Sequence, residues 1–405
     1  MNLGPRRRLS DPVAVTVHGL LVTTSMVQYA VLPLLPAVQQ DFSLSAKTVS
    51  LLLALPSLIM VITAIPAGWL SDRVGPARVT FASAIILVVS CVLQVLPSLF
   101  PFLMGRFLYG LAYTAIWTSG PAWLSQSRSG SSGRVGAVVT SAAAGSIAGP
   151  FVAGVLADRF GLGSPFVVFA VISAVLAVAS AAGTRTGPAP SQGPAGLTSV
   201  AAEMLGSREL VAALGALVAV GAVSGAVQLL VPLQLHQSGS STASLGAVLS
   251  VAGLVYVVAS AGTARARSGT VTSGAAVLGC VVLALTVVPA AFTASSLVLI
   301  GSLIAVTLPR AQLNTLGYRL ATRSVSAEAA TLGRVVGVLN LVWAISMSLG
   351  PIAAAWLTDG AGLRAAFLAT AAWPALIALL LAAFLTARPR RRGSLSLAPP
   401  GEVTT

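Results

Sequence analysis

Two arginines, Arg106 and Arg310, interrupt long apolar stretches of this chain. A guanidinium surrounded by hydrocarbon is costly enough to need a task. It can bind an anionic small molecule, help to move protons, or, for Arg106, snorkel to a membrane surface about two turns away. Arg310 follows Pro309 and precedes Arg319 by nine residues, roughly 13 Å along a helix axis, which is deeper than an interfacial anchor. Near the middle of apolar stretches also stand Gln28, Tyr29, Tyr113, Trp117, Gln228, Asn340 and Trp343. Amides mixed with aromatics would line a cavity for a moderately large, partly apolar organic molecule; alternatively they tie helices together or face lipid. All nine acids (Asp11, Asp41, Asp72, Asp158, Glu203, Glu209, Glu328, Asp359 and Glu402) fall in expected loops or at the ends of apolar runs. No carboxylate is therefore placed to load and release a proton at mid-membrane. His18 is the one intramembrane side chain whose ordinary pKa suits that task, and it reads equally as a packed or interfacial histidine. The chain has no phosphate-binding loop, no metal-ligand cluster and no nucleophile with its base, which excludes an enzyme and a nucleotide-driven pump. Neither a metal nor a cofactor is expected.

Positioning such residues requires membrane-spanning helices. Of 405 residues, 56% are apolar and 8% charged, and a soluble globule of that composition would leave most of its apolar surface in water. A hydrocarbon layer about 30 Å thick demands roughly 18 to 25 apolar residues in a helix rising about 1.5 Å each. Twelve such runs are expected, at 13–37, 48–70, 79–97, 99–124, 135–157, 164–182, 209–235, 243–263, 271–290, 294–317, 331–357 and 362–386. No soluble domain remains, so the fold class is an all-α integral membrane protein whose main partner is the lipid bilayer.

The net charge of +14 would suit a nucleic-acid partner, but its placement argues against one. With the N-terminus in the cytoplasm, 18 of the 23 basic residues fall on the cytoplasmic side, while Lys47, Arg159 and Arg364 lie outside and Arg106 and Arg310 within spans. That asymmetry is the positive-inside rule for twelve spans with both termini cytoplasmic. Arg6 to Arg8 precede an apolar run too long for a signal peptide and without a small-residue cleavage site, so the first span is expected to remain uncleaved. Cys91 and Cys280 both fall in expected spans and are expected to pack as small apolar side chains.

Residues 68 to 79 read GWLSDRVGPARV, a charged, glycine-bearing turn between two runs. Gly68 would let a helix end in close contact, Gly75 permits a tight reversal, and Asp72 sets a carboxylate near helix N-termini. In its order of Gly68, Leu70, Asp72, Arg73, Gly75 and Arg78, the turn resembles the loop after the second span in transporters of the major facilitator superfamily. The resemblance implies a cytoplasmic latch that holds the outward-facing state, in which Asp72 pairs with Arg73, Arg78, Arg128 or Arg134 and with the start of the eleventh helix. Pro76 and Ala77 stand where the family usually has basic residues, which thins that network. The matching loop GTARARSG at 262–269 keeps its arginines and lacks the acid, so the latch is expected to be asymmetric.

Gly149, Pro150, Leu156, Asp158 and Gly161 recur as Gly350, Pro351, Leu357, Asp359 and Gly362, at an offset of 201 residues. Upstream, Gly133, Arg134 and Val135 recur as Gly333, Arg334 and Val335, at an offset of 200. The resemblance implies the major facilitator fold, two pseudo-symmetric six-helix bundles at 1–182 and 209–386 that rock around a central site. Between them, 183–208 is a Gly-, Pro- and Ser-rich cytoplasmic linker. Its Leu197, Val200, Ala201, Met204 and Leu205 follow helical spacing, so it is either an amphipathic surface helix or a tether. The basic tail at 387–405 is expected to be disordered.

In the fifth run, Gly145, Gly149, Pro150 and Gly154 read GSIAGPFVAG and resemble the antiporter motif of the drug:proton exporter branch. Glycines four apart leave a flat groove for close helix approach, and Pro150 removes one backbone hydrogen bond; a plain packing seam is the alternative. Arg106, in RFLYG, resembles the arginine motif of the fourth span. Together these resemblances imply a secondary transporter of the plasma (inner) membrane that exports a small amphipathic organic compound, a drug or metabolite, in exchange for protons. Two rival expectations stand beside it. One is an uptake carrier or facilitator for a small organic anion, and the other a non-transporting membrane sensor or scaffold. A monomer is expected.

Overall fold

The structure is a computed structural model in which residues 12–126, 134–181, 207–293, 295–324 and 329–387 are described. The helical spacing noted in the linker, Arg128 and the basic tail lie outside them. Helices account for nearly all of the described chain. They are α1 (Pro12–Asp41), α2 (Ala46–Val74), α3 (Pro76–Val95), α4 (Leu99–Gln126), α5 (Arg134–Phe160), α6 (Ser164–Ala181), α7 (Arg208–Gln237), α8 (Thr242–Arg265), α9 (Ser273–Val287), α10 (Ser296–Arg323) and α11 (Ala329–Ala387). Among the described residues, eleven helical segments are long and apolar enough to cross a membrane, against twelve expected runs. The difference lies at the end of the chain. A straight helix of the 59 residues in α11 would run about 90 Å, three times the hydrocarbon thickness. It is broken instead at Gly362, with φ 84° and ψ 167°, the residue at which the twelfth run was expected to begin. One glycine interrupts the helix there with no loop between the arms.

Local chemistry fixes the other ends. Ser45 accepts from the Thr48 amide at 3.2 Å and Thr272 from the Ala275 amide at 3.1 Å, capping α2 and α9. Pro289 has no amide to donate, so α9 stops short of its expected end and continues as a 3-10 turn over Val288–Phe292. Gly75 closes α2 and opens α3 with φ 102° and ψ 136°, a backbone conformation open in practice to glycine alone. Gly75→Ala is therefore expected to destabilise the fold by about 1–3 kcal/mol, read as a lower unfolding midpoint in detergent; an unchanged midpoint would contradict this.

The chain divides into two compact units. The first comprises Met1–Gly193 with Val231–Leu254, and the second Pro194–Leu230 with Val255–Thr405. The expected first half thus falls within the first unit, which also takes the adjoining ends of α7 and α8. In the first unit α1 packs on α5 and α6, and α4 on α2 and α3; in the second, α9 packs on α10 and α11. The helices that open the two halves are the most enclosed, with 78% of the apolar window of α1 and 72% of that of α7 buried. Large apolar residues elsewhere point outward, Leu297 at 80% exposure and Val178 at 76%, as a lipid-facing surface requires. Hydroxyls inside spans satisfy themselves on the preceding turn: Thr24 donates to Leu20 O, Thr114 to Gly110 O, Thr307 to Leu303 O and Ser348 to Ala344 O, at 2.7–2.8 Å. Cys91 and Cys280 are free and fully buried, packed as expected.

Candidate functional site

The first unit carries an aromatic ladder on α4. Tyr109, Tyr113 and Trp117 follow at four-residue spacing, so they share one helix face, and successive ring centroids lie 5.8 Å apart. Tyr109 is fully buried and donates its hydroxyl to Thr24 O of α1 at 2.7 Å, which fixes the foot of the ladder. Tyr113 and Trp117 are half-buried. The indole Nε1 of Trp117 is enclosed and has no acceptor among the described residues. Gln28 and Tyr29 are half-buried on α1. Such a surface can stack a flat organic ring and donate one hydrogen bond.

The second unit carries a polar ladder on α10. Arg310, Asn314 and Tyr318 again follow at four-residue spacing. The Arg310 guanidinium carbon lies 5.9 Å from the ring centroid of Tyr256, on α8, and Asn314 Nδ2 donates to the Tyr256 hydroxyl at 2.8 Å. Tyr318 donates its hydroxyl to Asn340 Oδ1 of α11. Arg310 sits at the middle of α10, roughly 20 Å from either end. Trp343 is half-buried one turn beyond Asn340, whereas Gln228 is buried in α7 at 7% exposure.

Of the residues singled out from sequence, Tyr113 with Trp117, and Arg310 with Asn340, are thus brought into organised surfaces. Tyr109, Tyr256, Asn314 and Tyr318 were missed. The four-residue spacing on the fourth helix of each half would have found three of them; Tyr256 becomes visible only through packing. Arg106 is 0% exposed, sealed among helices rather than reaching a surface. Its Nε donates to Leu52 O at 3.4 Å, and its guanidinium carbon lies 5.1 Å from the Tyr109 ring centroid.

The glycines of α5 serve two partners. A Cβ on Gly145 would meet Val22 O at 2.2 Å, and one on Gly149 would meet Met26 O at 2.5 Å, both on α1. A Cβ on Gly154 would instead meet Thr242 O of α8 at 2.6 Å, and Gly246 of α8 is equally tight against Pro150 O at 2.3 Å. Ser250 of α8 donates to Ile147 O at 2.7 Å, and Asp158 Oδ2 accepts from the Ala243 amide at 3.0 Å. That carboxylate caps the N-terminus of α8, where charge and helix dipole agree. Nearby, Gln40 Nε2 donates to His236 Nε2 at 3.0 Å. The second unit repeats the first contact: a Cβ on Gly350 would meet Ala222 O of α7 at 2.2 Å.

In the turn after α2, Asp72, Arg73 and Arg78 are exposed, and Arg73 lies over the Trp69 ring at 5.1 Å. Arg128 and the side chain of Arg134, both expected latch partners, are outside the described residues. Gly68 does not supply the close contact expected of it, since a Cβ there would have Thr118 Cγ2 as its nearest neighbour at 3.8 Å. Ordinary van der Waals space is available.

A family model described as Major Facilitator Superfamily matches residues 18–332. Among curated proteins, an MFS-type transporter, ppzB, of Metarhizium rileyi is 26% identical over 181 residues, covering 42% of this chain and 38% of that protein. The probable nitrate transporter NarT of Staphylococcus carnosus is 36% identical over 74 residues, 18% of this chain and 19% of its own length. The chain therefore matches well under half the length of either. Among solved structures, a bacterial homolog of the human lysosomal transporter Spinster, inward-facing and unoccupied, superposes with a TM-score of 0.73 at 15% identity, covering 95% of this chain and all of that one. A POT family transporter in complex with 5-aminolevulinic acid superposes with a TM-score of 0.71 at 12% identity, covering 93% of this chain and 96% of that one.

Proposed function

We infer that this chain, which belongs to the major facilitator superfamily and is a multi-pass membrane transporter rather than an enzyme, exports a small amphipathic organic compound by alternating access. One observation carries the choice of cargo. The fourth helix of each half presents a ladder of half-buried aromatic or polar side chains inside an otherwise apolar span. Apolar walls with a few placed polar groups are what a small organic molecule needs. Export is the direction implied by the resemblance of Gly145, Gly149, Pro150 and Gly154 to the antiporter motif of the drug:proton exporter branch. We place the protein in the plasma membrane, with twelve crossings counted by reading the arms of α11 on either side of Gly362 separately, and with both termini in the cytoplasm.

The test is flux. Reconstituted protein, or an efflux-deficient host expressing it, should lower the internal level of amphipathic aromatic compounds relative to an empty control. No change for any compound in a broad panel sinks the proposal. Exchange for protons has one candidate group, His18, whose Nδ1 shares a hydrogen bond of 2.9 Å with Ser141 Oγ of α5. Collapse of the pH gradient with an ionophore should then stop export, and export that continues unchanged removes the antiport version. For the latch, Asp72→Asn is expected to cut flux at least fivefold while membrane insertion stays normal. Wild-type flux in that variant rejects the latch.

A further inference from the structure

We propose that the cargo carries an anionic group and that a site on α8 and α10 of the second unit, built around Arg310, Tyr256 and Asn314, binds it. The inference rests on the transport reading above and narrows its substrate class to small organic monocarboxylates. Three observations support it. A permanently charged guanidinium stands midway along a membrane-crossing helix and is only half-buried, at a depth where a cation is expensive and needs a task. The described acids of the second unit, Glu209 and Asp359, stand in the first turn of α7 and three residues before the Gly362 break, both far along the chain from the middle of α10. Among the described residues, the centre of this unit therefore carries net positive charge. Finally, the neighbours of Arg310 hold it in place: its head lies beside the Tyr256 ring, and Tyr256 is tied by Asn314 one turn further along α10. A preorganised planar fork of donors is the geometry that receives a carboxylate through two parallel hydrogen bonds. The enclosed Asn314 Oδ1, without a donor among the described residues, supplies an acceptor for a hydroxyl or amine next to that carboxylate.

Arg106 differs from Arg310 in being fully buried, with its guanidinium packed beside Tyr109 and its Nε bonded to Leu52 O.

The experiment is a thermal-shift titration of the purified full-length protein in detergent. Its probes are a panel of aromatic and aliphatic monocarboxylates, the amide of each, and sodium nitrate as an inorganic anion. At least one carboxylate is expected to raise the unfolding midpoint in a saturable way, with its amide at least tenfold weaker. Arg310→Gln should lose this response. Should Arg310→Gln fail to fold, Asn314→Asp provides a second variant: a fixed carboxylate one turn from Arg310 should abolish the response to added carboxylate while the ligand-free protein melts at or above the wild-type temperature. An amide that binds as well as its acid overturns the inference, as does a response to nitrate without one to any carboxylate, or no response at all. Continued export of neutral aromatic compounds would then leave the transport reading standing while this narrower one fails.

Discussion

Gly149→Leu is expected to prevent assembly of the folded transporter. The position is buried, and the first added carbon alone would sit 2.5 Å from Met26 O and 2.8 Å from Met26 Cα. Backbone atoms cannot rotate aside as a side chain can, so α1 and α5 would have to separate along their whole shared seam, where Gly145 is held still more tightly against Val22 O at 2.2 Å. Inserting single methylenes into a packed core costs about 1–3 kcal/mol, and a leucine adds several against backbone. Within lipid there is no solvent-driven force to restore the contact, since close packing of small residues is itself the source of helix association. Gly350→Leu should behave in the same way, because a Cβ there meets Ala222 O at 2.2 Å. Gly360→Ala is the control: its Cβ would meet nothing within 4 Å, and the midpoint should hold or rise. Size-exclusion profiles and unfolding midpoints of the three variants decide the matter. A monodisperse Gly149→Leu protein with a wild-type midpoint would show that the seam does not hold α1 and α5 together.

Arg106→Met is expected to melt above the wild type. Arg106 is fully buried, and among the described residues its Nη1 and Nη2 have no hydrogen-bond partner. What it retains is a long Nε bond to Leu52 O at 3.4 Å and the flank of Tyr109. The described acids of the first unit stand at helix ends, Asp41 closing α1, Asp72 in the last turn of α2 and Asp158 in the last turn of α5. None is placed as a counter-charge in the middle of the unit. Burying a charge carries a desolvation penalty of several kcal/mol per ion, which an apolar side chain of similar length removes, and methionine is unbranched and adapts to irregular space. A midpoint several degrees higher, with carboxylate binding through Arg310 retained, is the expected result. A midpoint that falls sharply would mean that the guanidinium is satisfied by water or a bound ion.

The positions of the spans were legible from sequence because hydrocarbon thickness sets the length of an apolar run whatever lies beside it. Gly75 and Gly362 were legible for a similarly local reason: each stands at a helix end, and each takes a positive φ that other residues avoid. The internal repeat showed itself through Gly149 with Pro150 and Gly350 with Pro351. Gly362, at which a twelfth run was expected to begin, is where α11 breaks, within one continuous helical segment. What tertiary structure alone decided is where each side of a helix points. In water, apolar periodicity identifies the inner face; in lipid the outer face is apolar too, so the pattern around the helix carries little of that information. Sequence therefore could not tell that Gly145 and Gly149 seat on α1 while Gly154 seats on α8, or that Asp158 caps α8. Nor could it tell that, of two intramembrane arginines, Arg106 is sealed among helices and Arg310 is only half-buried.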